Sequence, residues 1–172
     1  VGYVPQKAVM FSGSVLSNIT FGKNRHGKPS KERVKAAIRV SQAEEFVSKL
    51  DDKEKAHIAQ GGTNVSGGQK QRLSIARTIA RDPEIYIFDD SFSALDYKTD
   101  STLRSELKKY TKDATVMIVA QRIGTILNAD KIVVLDNGKC VGIGTHKELM
   151  KKCKVYKEIA LSQVSKEELE NV

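Results

Sequence analysis

The chain has 172 residues, enough for one domain with a real core, and its 40% hydrophobic and 29% charged residues are ordinary for a globular protein. No apolar run approaches the roughly 20 residues that cross a bilayer, and no signal peptide is present. The net charge of +8 comes from 29 basic residues scattered over predicted helix surfaces, not gathered with aromatic residues into a platform, so nucleic acid is not expected as a partner. Lys108-Lys109 and Lys151-Lys152 read as solvated faces. Cys140 and Cys153 lack metal-ligand spacing and give no disulfide framework, which fits a reducing compartment.

Val1-Gly-Tyr-Val-Pro-Gln6 reads as the end of a strand that passes into a loop at Pro5, which cannot donate to a ladder. Residues 24–29 form a turn-rich connector. Ser30 can cap a helix with Val34, Ala37, Ile38 and Ser41 along one side, and Ser41 with Glu44 predicts a second capping box ahead of Phe46, Val47 and Leu50. Residues 51–62 are charged and then glycine-rich, a mobile lead in which His57 is a solvated loop histidine.

Asn64-Val-Ser-Gly-Gly-Gln-Lys-Gln-Arg72 is the stretch on which the rest depends. Ser66 is a good N-cap, and Gln69 completes a capping box. Leu73, Ile75, Ala76, Ile79 and Ala80 then give a helical apolar stripe, with Lys70, Arg77 and Arg81 on the opposite face. Gly67 and Gly68 place no side chain over the first turn, whose free N–H groups attract anions.

Ile85-Tyr-Ile-Phe88 reads as a strand buried on both faces, and it ends in Asp89 and Asp90. Carboxylates at the C-terminal end of such a strand sit where open α/β sheets bind ligands. After Ser91-Phe-Ser-Ala-Leu-Asp96, a helix is marked by Leu103, Leu107 and Tyr110, with Asp100 and Arg104 as an i,i+4 pair. Residues 115–120 form a second buried strand ending at Gln121. Two further strands flank Asp136-Asn-Gly138, a strong hairpin signal. Thr145 caps a helix from His146, read as solvated, and another helix runs near Tyr156 to Leu161. The polar tail, residues 166–170, is expected to fray.

Three of these stretches, in this order and spacing, resemble the motifs of an ABC-type ATPase domain: 64–69 the signature, 85–90 the Walker B strand, and Ser93-Ala-Leu-Asp96 the D-loop. The resemblance implies an α/β, P-loop NTPase-like (RecA-like) fold with a mainly parallel sheet core and a helical signature subdomain. It assigns residues 24–82 to that subdomain, 83–163 to the C-terminal part of the core and 164–172 to a tail. It implies ATP and Mg²⁺ as cofactors, with Asp89 and Gln6 at the metal, Gln6 being the Q-loop residue. ABC domains work as head-to-tail pairs, so Ser66, Gly67, Gly68 and Gln69 would face a γ-phosphate held by a second ABC half-transporter, and Asp96 would reach across the same interface. Met10-Phe-Ser-Gly-Ser-Val-Leu-Ser-Asn-Ile19 resembles the exporter segment that lies near the membrane domain's coupling helices. That segment, the short spacing from Gln6 to the signature and the lack of a coiled-coil insertion oppose the alternative, a soluble ABC ATPase of DNA repair or translation.

The departures from the family are as informative. The Gly-x-x-x-x-Gly-Lys-[Ser/Thr] phosphate cradle is absent from all 172 residues, so the chain is expected to be part of a longer protein, with the cradle and membrane domain upstream of Val1, and to be inactive by itself. The catalytic glutamate that usually follows the Walker B aspartate is replaced by Asp90, and the switch histidine by Gln121, which cannot carry a proton. The signature departs only by Val65 in place of leucine. An acidic residue usual near His57 is also missing. A weak own site beside a sound signature resembles one half of a heterodimeric exporter on the cytoplasmic face of the cell membrane, with a homodimer as the alternative. A module that holds nucleotide without turnover is a third reading of the chain's own site.

Overall fold

The computed structural model describes residues 1–22 and 27–163, in two compact units, Val1–Val119 and Ala120–Val172. Residues 24–26 of the 24–29 connector and all of the 166–170 tail lie outside the described residues. The first unit is built on three parallel strands in the order β1 (Gly2–Val4), β4 (Ile85–Asp89), β5 (Thr115–Val119), with Tyr3 opposite Ile87 and Phe88 opposite Ile118. One face of this sheet is covered by helices α2 (Lys31–Val40), α4 (Gly67–Ala80) and α5 (Tyr97–Tyr110), whose apolar residues form one cluster with Val4, Tyr86 and Phe88.

The other face is open, which corrects the expectation that these strands are buried on both sides. Tyr3, Met117 and Val119 stand on it, each more than half exposed. The apolar runs are those of a two-sided parallel sheet, but the described helices cover only one side.

Helix α4 is more deeply set than its sequence pattern suggests. Leu73, Ile75, Ala76, Ile79 and Ala80 are fully buried, and so nearly are Gln71, Ser74 and Thr78. Arg77 does not face solvent. Its guanidinium donates to the carbonyls of Asn18 (2.8 Å) and Val9 (3.0 Å) and to Asn18 Oδ1 (3.0 Å), and it lies over the Phe11 ring at 5.2 Å. Burial lowers its pKa to about 10. A long helix packed against elements on several sides has no solvent stripe to display, so periodicity alone misplaces its cations.

The expected capping box at Ser41 does not form. Helix α3 (Glu44–Ser48) follows Ala43, which gives no side-chain cap, while buried Ser41 donates to the Ile38 carbonyl and ends α2. The lead into α4 is built, not loose. Strand β2 (Gly13–Ser14) ahead of α1 (Val15–Ile19) pairs antiparallel with β3 (His57–Ile58), and Asn64 bridges the loop by accepting from Ala59 N and donating to the His57 carbonyl. His57 is exposed, as expected, but it sits in this short strand.

In the second unit, α6 (Ile123–Ile126) precedes the hairpin β6 (Ile132–Asp136) and β7 (Lys139–Gly144), then α7 (His146–Lys152) and α8 (Lys154–Gln163). Asn137 and Gly138 both take positive φ, 47° and 75°, as the two-residue hairpin turn demands. Thr145 and Glu148 form a full capping box. His146, however, is buried at 5% exposure, and its Nδ1 is 2.9 Å from the Tyr156 hydroxyl, which corrects its reading as solvated. Burial, helped by Lys147, lowers its pKa, so the folded state favours neutral imidazole. The unfolded chain therefore takes up the proton first as pH falls. The stability this histidine contributes is present above its ordinary value of about 6.5 and declines below it. Thermal melting of the wild type should shift down on acidification through that range. His146→Phe should flatten the dependence while losing about 1 kcal/mol for the unpaired Tyr156 hydroxyl.

Candidate functional site

Two groups of predicted residues meet in the first unit. The first gathers where β4 ends. Asp89 closes the strand and Asp90 turns out of it with φ 44°, a left-handed conformation that Asp tolerates better than most residues. That turn is held on both sides: Asp90 N donates to the Val119 carbonyl at 2.9 Å, and the Ser93 hydroxyl donates to the Asp90 carbonyl at 2.8 Å. Gln6 Nε2 donates to Asp90 Oδ2 at 3.1 Å, so the loop after β1 reaches the acidic pair at Asp90. Gln71 steadies that loop by donating to the Pro5 carbonyl at 3.1 Å.

Two further contacts were not legible in the sequence. Tyr3 donates its phenol hydrogen to Asp89 Oδ2 at 2.8 Å, and this bond raises the Tyr3 pKa. Ser91, fully buried, donates to the carbonyls of Val4 and Asp89, tying the strand end to β1. Both depend on β1 lying directly beside β4, and register between distant strands leaves no mark on spacing.

The donor set at this strand end is oxygen only: two carboxylates and the Gln6 amide oxygen. Among the described residues no group of three His, Cys, Asp or Glu could hold a metal alone. Such a sparse, hard set fits Mg²⁺, which one or two carboxylates bind together with phosphate oxygens and water.

The second group is the start of α4. Ser66 Oγ accepts from Gln69 N, and Gln69 Oε1 accepts from Ser66 N at 2.9 Å, so the capping box is complete. The cap uses an oxygen lone pair of Ser66 and leaves its hydroxyl hydrogen for another acceptor. A Cβ on Gly67 would meet nothing within 4 Å, whereas one on Gly68 would lie 3.3 Å from the Ala94 carbonyl. The Ser93–Asp96 loop therefore packs directly against the signature. Asp96 caps α5 through Thr99 N at 3.0 Å, and that bond, with the Thr99 hydroxyl and more distant Arg72, lowers its pKa. Arg72 braces the same corner, donating to the Gln42 carbonyl at 2.7 Å and lying 4.8 Å over Phe46. Gln121 belongs to the second unit, where it is exposed and its carbonyl accepts from Gln163 at 2.8 Å.

A parallel sheet with carboxylates at its C-terminal edge and a glycine-opened helix start are features with which α/β folds bind anionic ligands. Residues 1–93 match the family described as ABC transporter. An ABC transporter ATP-binding protein of Mycobacterium tuberculosis is 45% identical over 163 residues, 95% of this chain and 28% of the relative. An export ATP-binding/permease protein of Rickettsia conorii is 39% identical over 165 residues, again 28% of its length. The solved structure of a bacterial Atm1-family ABC exporter with ATP bound superposes with a TM-score of 0.87 at 32% identity, over 94% of this chain and 28% of that one. The chain belongs to the ABC transporter family and carries part of its ATPase domain. It spans little more than a quarter of the relatives it matches, and no described helix is long and apolar enough to cross a membrane.

Proposed function

We propose that this chain is the ATP-binding part of an ABC exporter, coupling ATP binding and hydrolysis to transport from the cytoplasmic face of the cell membrane. The observation that carries the reading is the start of α4. Gly67 has an ordinary backbone conformation and open space around it, so nothing within the chain requires glycine there. The open space leaves room for a ligand to approach the backbone there. The N–H groups of Gly67 and Gly68, the free hydroxyl hydrogen of Ser66 and the nearby Gln69 suit a γ-phosphate presented by a second ABC half-transporter. Asp96, held by its cap, marks where that partner closes.

At the chain's own site, Asp89 and Gln6 would hold Mg²⁺, which neutralises phosphate charge during phosphoryl transfer. Asp90 would orient the attacking water and accept its proton as the bond from the γ-phosphorus to the leaving oxygen breaks. Its carboxylate is one methylene shorter than the glutamate usual here, and a misplacement of about 1 Å costs on the order of a hundredfold. Gln121 would hydrogen-bond a phosphate oxygen without carrying a proton. This site is therefore weak, while the signature completes a competent site on a different partner.

Val9, Phe11, Leu16 and Phe21 form an exposed apolar surface, anchored to α4 through Arg77. It suits docking of the membrane domain of the same protein. Steady-state ATPase activity of the full-length protein, purified alone and then with a second half-transporter, tests the reading. Activity should be low alone and rise on pairing.

A further inference from the structure

We infer that Tyr3 is a positioning residue for the metal-binding carboxylate of Asp89, an inference that rests on the metal role proposed for Asp89. The parallel register sets Tyr3 beside Ile87, and side-chain alternation puts Ile87 and Asp89 on the same face of β4. The long phenol side chain therefore reaches past Ile87 to the carboxylate, and its hydroxyl donates to Asp89 Oδ2 at 2.8 Å. That bond takes one lone pair of Oδ2 and holds the carboxylate in a fixed orientation, which favours Oδ1 as the ligand. A carboxylate offering one oxygen suits the small octahedral Mg²⁺ ion better than a freely rotating group that can chelate. Partners that orient a ligating carboxylate typically affect metal affinity by tenfold to a hundredfold.

Among the described residues Tyr3 is not part of the core. Its ring stands on the open face of the sheet and is 52% exposed, while Val4 and Tyr86, on the opposite face, fill the core. The hydroxyl hydrogen bond is thus separable from the packing, and Tyr3→Phe removes the one without the other.

The test uses the full-length protein and Mn²⁺ as a paramagnetic stand-in for Mg²⁺. Binding of Mn²⁺ to the ATP complex is followed by electron paramagnetic resonance, and metal-free ATP binding is titrated in parallel. Tyr3→Phe should weaken Mn²⁺ binding about tenfold while leaving metal-free ATP binding unchanged. Unchanged Mn²⁺ affinity in Tyr3→Phe, with Asp89→Asn impaired, would overturn the inference and leave the metal role of Asp89 standing. Unchanged affinity in Asp89→Asn as well would overturn both.

Discussion

Ser66→Arg should lower turnover at the partner's site by about a hundredfold or more, the scale set by removing one preorganised donor from a site of charge development. The substitution acts twice. It places bulk where Gly67 leaves open space, and it removes the oxygen that accepts from Gln69 N. Loss of the cap alone costs about 1 kcal/mol, a folding effect to be separated from the catalytic one. Ser66→Asp makes the separation, because aspartate caps as well as serine but sets a negative charge against the incoming phosphate. Both variants should depress phosphate release in the paired protein, and only Ser66→Arg should also lower the melting temperature.

The opposite change is expected at the chain's own site. Asp90→Glu together with Gln121→His should raise turnover there by about a hundredfold, restoring both the reach of the base and a protonatable group. Asp90 is held in a left-handed turn by Val119 and Ser93 and is already within 3.1 Å of Gln6. The added methylene extends the reach of the carboxylate, while glutamate tolerates this left-handed backbone less well than aspartate, so strain in the turn offsets part of the gain. The measurement is single-turnover phosphate release in the paired protein with the partner's own site silenced. No gain in the double variant would show that these two residues do not limit the site.

Much of the local structure, including the cap at the start of α4, could be read from sequence because it depends on local rules. The Ser66 and Gln69 capping box, the Asp100–Arg104 pair at 2.9 Å and the Asn137-Gly138 turn each depend on residues a few positions apart, and each stands as expected. What could not be read depends on distant elements. Tyr3 and Asp89 are brought together by strand register, Arg77 and Asn18 by the packing of α1 against α4, and buried His146 by its Tyr156 partner on the next helix. The same cause explains the misread sheet. Apolar runs at β4 and β5 report that two faces are fit to be covered, and only the packing shows that the described helices cover one.

The proposed asymmetry, a sound signature beside a weak base and switch, is decided by the ATPase activity of the full-length protein purified without any partner. Pairing with itself would place aspartate at the base position and glutamine at the switch position of both sites, so turnover should be slow. Adding a half-transporter with glutamate and histidine at those positions should raise it about a hundredfold at one site, and that gain should vanish with Ser66→Arg. Robust turnover by the pure homodimer, abolished by Asp90→Asn, would show that the chain's own site is competent and needs no different partner.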